Sequence, residues 1–98
     1  MKKFALIMIG YIPPTSEIME SWIKWFKSIE DKIEARAWFG NWKEITKHSI
    51  TDLPMDLAAI TGYMVIKVES EDEAEKIAQS CPMITSVKLY EIRSHQEF

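Results

Sequence analysis

The run KFALIMIG, residues 3–10, is apolar without interruption from Phe4 to Ile9 and stops at Gly10. In extended chain, successive side chains point to opposite faces. Phe4, Leu6 and Met8 therefore share one face, and Ala5, Ile7 and Ile9 share the other. A strand that is apolar on both faces needs cover on both, which places it in the middle of a sheet. A second segment behaves the same way. In GYMVIKVES, residues 62–70, Met64, Ile66 and Val68 oppose Tyr63, Val65 and Lys67. Whatever this chain folds into, its central sheet must be buried from two sides.

Between these strands lies a helical pattern. YIPPT, residues 11–15, is a loop imposed by two prolines, and Thr15 is a suitable N-cap with Glu17 in the first turn. From Ser16 the periodicity predicts an amphipathic helix running to about Ile33. On a helical projection the apolar side chains run from Trp25 at one edge, through Trp22 and Phe26, to Ile23 at the other. The arc spans roughly 160°. Trp22 and Phe26, in mid-arc, are expected in the core, and Trp25, at the edge, is the ring expected at a pocket or interface. In the next stretch Arg36, Trp38 and Gly40 alternate with Ala35, Ala37 and Phe39, and Gly40-Asn41 signals a turn or bulge. Trp42 to Ile50 reads as extended chain of mixed polarity, an edge strand or an excursion, before a connector broken by Pro54. Ser70 with Glu73 forms a capping box, opening a helix that buries Ala74, Ile77, Ala78 and Cys81 before Pro82 stops it. TSVKLYEI, residues 85–92, is the last strand.

The order is β-α-β-β-α-β, an α+β, ferredoxin-like arrangement with an antiparallel sheet. Residues 1–93 are expected to form one domain, with 94–98 as a polar tail that includes His95. Right-handed crossovers place both helices on one face. The other face, apolar in the central strands, is then left bare, and a second copy packed sheet against sheet is the simplest cover. A homodimer is the expected state.

Composition narrows the partners. The chain has 98 residues and a net charge of −3, with acids and bases interspersed, so no basic stripe exists to track a nucleic-acid backbone. No apolar stretch reaches the ~20 residues of a membrane-spanning helix. The apolar run after the first lysines has no small-residue cleavage site behind it and reads as a strand rather than a signal peptide. A single cysteine, Cys81, allows no internal disulfide and reads as a small buried apolar residue. These features together lead to the expectation of a cytoplasmic protein.

Three stretches, SEIMESWIKWFKSIEDKI, DLPMD and GYMVIKVESEDEAEKIAQSCP, resemble the YCII-related domain family, in the branch named for an Asp-Gly-Pro-Phe motif. The resemblance rests on Trp22, Trp25 and Phe26 in the first helix, on Gly62-Tyr63 entering a strand, and on Ala74 and Cys81-Pro82 around the second helix. It implies a dimeric α+β barrel with a pocket beside the first helix. In the enzyme-like branch of that family, a histidine on the first helix and a following aspartate form the proposed acid-base pair. This chain has no histidine between Ser16 and Ile33, so that role has no residue to fall on. The Asp-Gly-Pro-Phe motif is here Asp52-Leu53-Pro54-Met55.

The remaining chemistry is sparse. His48 and Asp52 are the candidate acid-base pair, but four residues of extended chain separate side chains by about 13 Å, so only a turn after Ser49 would join them. Two histidines and one cysteine, far apart, offer no metal-ligand spacing, and three glycines make no phosphate loop. No metal and no cofactor is expected. Trp25, Tyr11, Trp38, Trp42 and Tyr63 are the candidate lining of a ligand pocket, which would be mostly apolar with a few placed polar groups. The expected function is a homodimeric small-molecule-binding or accessory protein with a small apolar ligand. The alternatives are a cofactor-independent isomerase, hydrolase or oxygenase acting on a small aromatic or cyclic substrate, and a packed dimerisation module.

Overall fold

A computed structural model describes residues 1–93, and His95 with the rest of the tail lies outside the described residues. Four strands form an antiparallel sheet: β1 (Lys2–Ile9), β2 (Ile33–Trp38), β5 (Ile60–Val68) and β6 (Ser86–Glu91). Their spatial order is β2-β5-β1-β6. Both central strands are the ones whose two faces are apolar in sequence. Two helices, α1 (Ser16–Ser28) and α2 (Glu71–Ser80), cross between strands. The arrangement is ferredoxin-like α+β. A short hairpin, β3 (Lys43–Ile45) with β4 (Ile50–Asp52), is inserted before β5 and pairs only with itself. It accounts for the segment that read as an excursion.

Both helices cover the face carried by Phe4, Leu6 and Met8 of β1 and Met64, Ile66 and Val68 of β5, all buried. Leu6 pairs with Met64 across β1 and β5, and Phe4 with Ile66, so the apolar faces are in register. Trp25 and Ile29 of α1 join them, with Ala74, Ile77, Ala78 and Cys81 from α2. The opposite face carries Ala5, Ile7 and Ile9 beside Tyr63 and Val65, all half-buried, and no element of the described residues lies over it. The molecule is correspondingly thin, 42 × 41 × 17 Å, one layer of sheet and one of helices.

The helix starts follow the capping residues. Thr15 accepts the Ile18 amide at 3.2 Å, and Ser70 accepts the Glu73 amide at 3.2 Å. The end of α1 differs from the periodicity. The helix stops at Ser28, followed by a 3₁₀ turn at Glu30–Lys32, and Ile33 already opens β2. The apolar spacing runs on because Ile33 serves the same core from the sheet, opposite Ile66. A helical projection cannot separate a residue that continues a helix from one that re-enters the core on the next strand.

Candidate functional site

The apolar arc of α1 is wider than the surface it covers, and its two halves have different fates. Trp25 and Ile29 point into the core, at 6% and 7% exposure. Trp22, Phe26 and Ile18 are half-buried, and Met19 and Ile23 are exposed. Trp25, expected at a pocket or interface, is instead in the core, while Trp22 and Phe26, expected in the core, pack against it half-buried and border open space. The reason is α2. Its last residue, Ser80, meets the Trp25 side of α1, where the Trp25 indole N–H donates to Ser80 Oγ at 2.9 Å. The Ile23 side meets no second helix.

That free half forms one wall of a groove of about 910 Å³. The opposite wall comes from β2, where alternation places Arg36 and Trp38 on the helix side of the sheet. Tyr11, from the loop after β1, and Trp42, before β3, close one end. The walls are rings in contact: Trp22 meets Trp38 edge-on at 5.1 Å and 90°, and Phe26 lies 5.7 Å from Trp22. Tyr11 meets Trp42 at 5.8 Å and 72°. The Trp42 indole N–H is shut off from solvent and has no acceptor among the described residues. Charge enters the lining through Arg36, Lys27 and Glu30. The Arg36 guanidinium stands 4.0 Å above the Phe26 ring.

Gly62 shapes this wall. A Cβ there would meet the Ala37 carbonyl oxygen and the Trp38 ring, each at 2.7 Å. The bare backbone of β5 at Gly62 is what leaves room for the Trp38 ring, which also lines the groove.

Of the pocket residues expected from sequence, Tyr11, Trp38 and Trp42 line this groove and Trp25 does not. Tyr63 lies on the other face of β5, stacked on Phe39 at 5.8 Å and 25°, and borders a smaller hollow of about 290 Å³. Phe26, Trp22 and Arg36 are the residues that the sequence reading did not place here. The alternation of Arg36 with Trp38 was the available signal for the arginine.

His48 and Asp52 are not brought together. Residues 50–52 are a strand, so the turn that would join them does not form. His48 sits in the exposed β3–β4 turn, its backbone amide on Thr46 Oγ1, and Asp52 pairs across the hairpin with Lys43. Neither lines the groove. Among the described residues no group of His, Cys, Asp or Glu side chains has a metal-binding arrangement. No helix of the described residues is long and apolar enough to cross a membrane.

Cys81 is buried behind α2, and burial pushes its thiol from 9.0 up to about 12. Well below pH 9 the thiol is largely neutral in both folded and unfolded chains and pH has little effect on stability through it. As pH rises from 9 towards 12 the unfolded chain releases the proton first, so stability falls over that window. A disulfide reagent at pH 8 is expected to label the folded protein on the order of a hundredfold more slowly than the urea-unfolded chain. Equal rates would show that the thiol is open.

Comparison with known proteins gives the fold a relative. The chain resembles the solved structure of 5-chloro-2-hydroxyhydroquinone dehydrochlorinase from Burkholderia phenoliruptrix, in complex with 2,5-dihydroxybenzoquinone, with a TM-score of 0.61. The match covers 97% of both chains at 11% identity, which is a likeness of fold. No family model and no curated protein matches the sequence.

Proposed function

We propose that this protein binds a small ring compound in the groove between α1 and β2, as a non-catalytic binding or accessory protein of the YCII-related type. The observation that carries this reading is the groove itself. Its volume, about 910 Å³, is within the range of small-molecule sites, and its walls are aromatic with few polar groups. Exposed rings and aliphatic chains at Trp38, Met19, Ile23 and Met55 gather there. A single-ring ligand laid against Trp22 and Trp38 would cover them and stack on indole faces. The test is a fluorescence titration with 2-naphthol, reading the tryptophans that line the groove. A saturable quench is expected, and Trp22→Ala is expected to weaken it about tenfold. A linear, non-saturating response in the native protein would remove the reading.

A second reading is a cofactor-independent enzyme acting on a cyclic substrate. It is favoured by the dehydrochlorinase that shares the fold and whose structure holds a six-membered ring compound. Tyr11, Lys27 and Glu30 are groove residues able to take part in proton transfer. Conversion of an added hydroxylated ring compound, followed by chromatography, would favour this reading over simple binding.

The working unit is proposed to be a homodimer joined through the open sheet face, in the manner of a dimeric α+β barrel. Support comes from the half-buried apolar row Ala5, Ile7, Ile9, Tyr63 and Val65. Charged groups stand at the end of this face, where Lys3 and Lys67 pair with Glu34 at 3.1 and 3.6 Å, and Lys3 holds the Glu34 carboxyl below its ordinary range. Light scattering is expected to give twice the 11.4 kDa chain mass, and Val65→Glu to give single chains because it would bury an unpaired charge. A native protein that runs as single chains would exclude the dimer.

A further inference from the structure

We propose that Arg36 is the ligand anchor of the groove, and that the ligand is therefore a planar ring bearing an anionic oxygen, a carboxylate or phenolate. This rests on the reading of the groove as a binding site and names the chemical class that it takes.

Three observations lead to it. Arg36 lies on the wall, on the same face of β2 as Trp38, so its side chain and the indole address the same space. Its guanidinium stands 4.0 Å over Phe26, a contact that uses none of its N–H donors. Finally, no carboxylate among the described residues pairs with it: the ion pairs among the described residues belong to Lys3, Lys32, Lys43 and Lys67. Glu30 lines the same groove and Lys27 stands with it, and neither forms an ion pair among the described residues. The lining thus carries two cations and one carboxylate, in a chain whose net charge is −3.

A stacked, unpaired arginine beside apolar rings presents two kinds of recognition at once. The rings take the flat body of a ligand, and the fork takes two oxygens of a carboxylate, or one phenolate oxygen, in its own plane. A neutral ring of the same shape keeps only the first. Lys27 is exposed and stacks on no ring among the described residues, so it offers a point charge rather than a planar fork.

The experiment is calorimetric titration of the full-length protein with 1-naphthoate and with 1-naphthamide, which share shape and differ in charge. In the native protein, naphthoate is expected to bind at least about tenfold more tightly. Arg36→Met is expected to abolish that preference while leaving naphthamide binding within about twofold, because the methionine keeps the apolar stem. Lys27→Met is expected to retain most of the preference. Arg36 is exposed on an edge strand, and thermal unfolding of each variant checks that it folds as the native protein does. Equal binding of the two probes by the native protein would overturn the role of Arg36 and leave the groove as a binding site. A preference that survives Arg36→Met, or that Lys27→Met removes, would also overturn it. Failure of both probes to bind would overturn the groove reading together with the anchor.

Discussion

Trp25→Ala is expected to lower stability by about 3–5 kcal/mol, the cost of removing a large ring from a core that cannot close over the gap. Trp25 is 6% exposed and lies between the sheet and α2. Its ring meets Trp22 edge-on at 5.6 Å and 86°, and its N–H reaches Ser80 across the two helices. The substitution therefore removes packing and the one side-chain bond that ties α1 to the last turn of α2. Against a usual total of about 5–15 kcal/mol, this is a large share. At a slope of about 1.5 kcal/mol/M the urea midpoint falls by about 2–3 M. Trp25→Phe should cost about 1–2 kcal/mol, because a ring remains and the Ser80 hydroxyl still donates to the Ile77 carbonyl at 2.7 Å. The informative comparison is with Trp22→Ala, which removes a half-buried ring from the groove wall and is expected to cost less than Trp25→Ala. The reverse ranking would return Trp22 to the core and Trp25 to the groove.

Gly10→Ala is the second change with a large expected effect. Gly10 has φ +112°, a conformation that side-chain-bearing residues rarely adopt. A Cβ there would lie 2.5 Å from Thr85 Oγ1 and 2.8 Å from the Thr85 backbone nitrogen. The surroundings are fixed by hydrogen bonds. The Gly10 amide donates to Ala59 O at 2.7 Å, and the Thr85 amide to Ile9 O at 3.1 Å. The Thr85 hydroxyl donates to Leu57 O. Strained φ and overpacking each cost about 1–3 kcal/mol, so a loss of about 3–5 kcal/mol is expected in chemical denaturation. Adding Thr85→Ala should recover only part, since it frees the hydroxyl contact but neither the backbone contact nor the φ. A Gly10→Ala protein within 0.5 kcal/mol of the native one (about the spread of neutral surface changes) would show that this corner yields. Gly10 and Tyr11 both line the groove, so ligand binding should weaken alongside stability.

Much of the fold is legible before any coordinates. The uninterrupted apolar run at Phe4–Ile9 and the double-faced strand at Tyr63–Val68 become the two central strands. Thr15 and Ser70 mark both helix starts, because a cap is a local bond that needs only its own few residues. The end of α1 was not legible, since Ile33 fits the helical period while belonging to β2. The hairpin was visible only as weak extended chain. Its exposed Ile45 and Ile50 pair with one another across two short strands, which leaves no alternation long enough to read.

The site divides along the same line. The candidate pair His48 and Asp52 depended on a turn that the local chain replaces with strand β4, where Asp52 finds Lys43 instead. The aromatic content of α1 was plain, and so was the width of its apolar arc. What the sequence determined by itself is that this helix has more apolar surface than one contact can cover. Which ring is fully buried was decided only in the tertiary structure, where Ser80 of α2 meets Trp25 while Trp22 and Phe26, at the border of the core, face Trp38 and Arg36. The helical period fixes the angles between side chains on one element. The direction in which those angles point is set by contacts between residues as far apart as 25 and 80, and no periodicity within the helix carries that information.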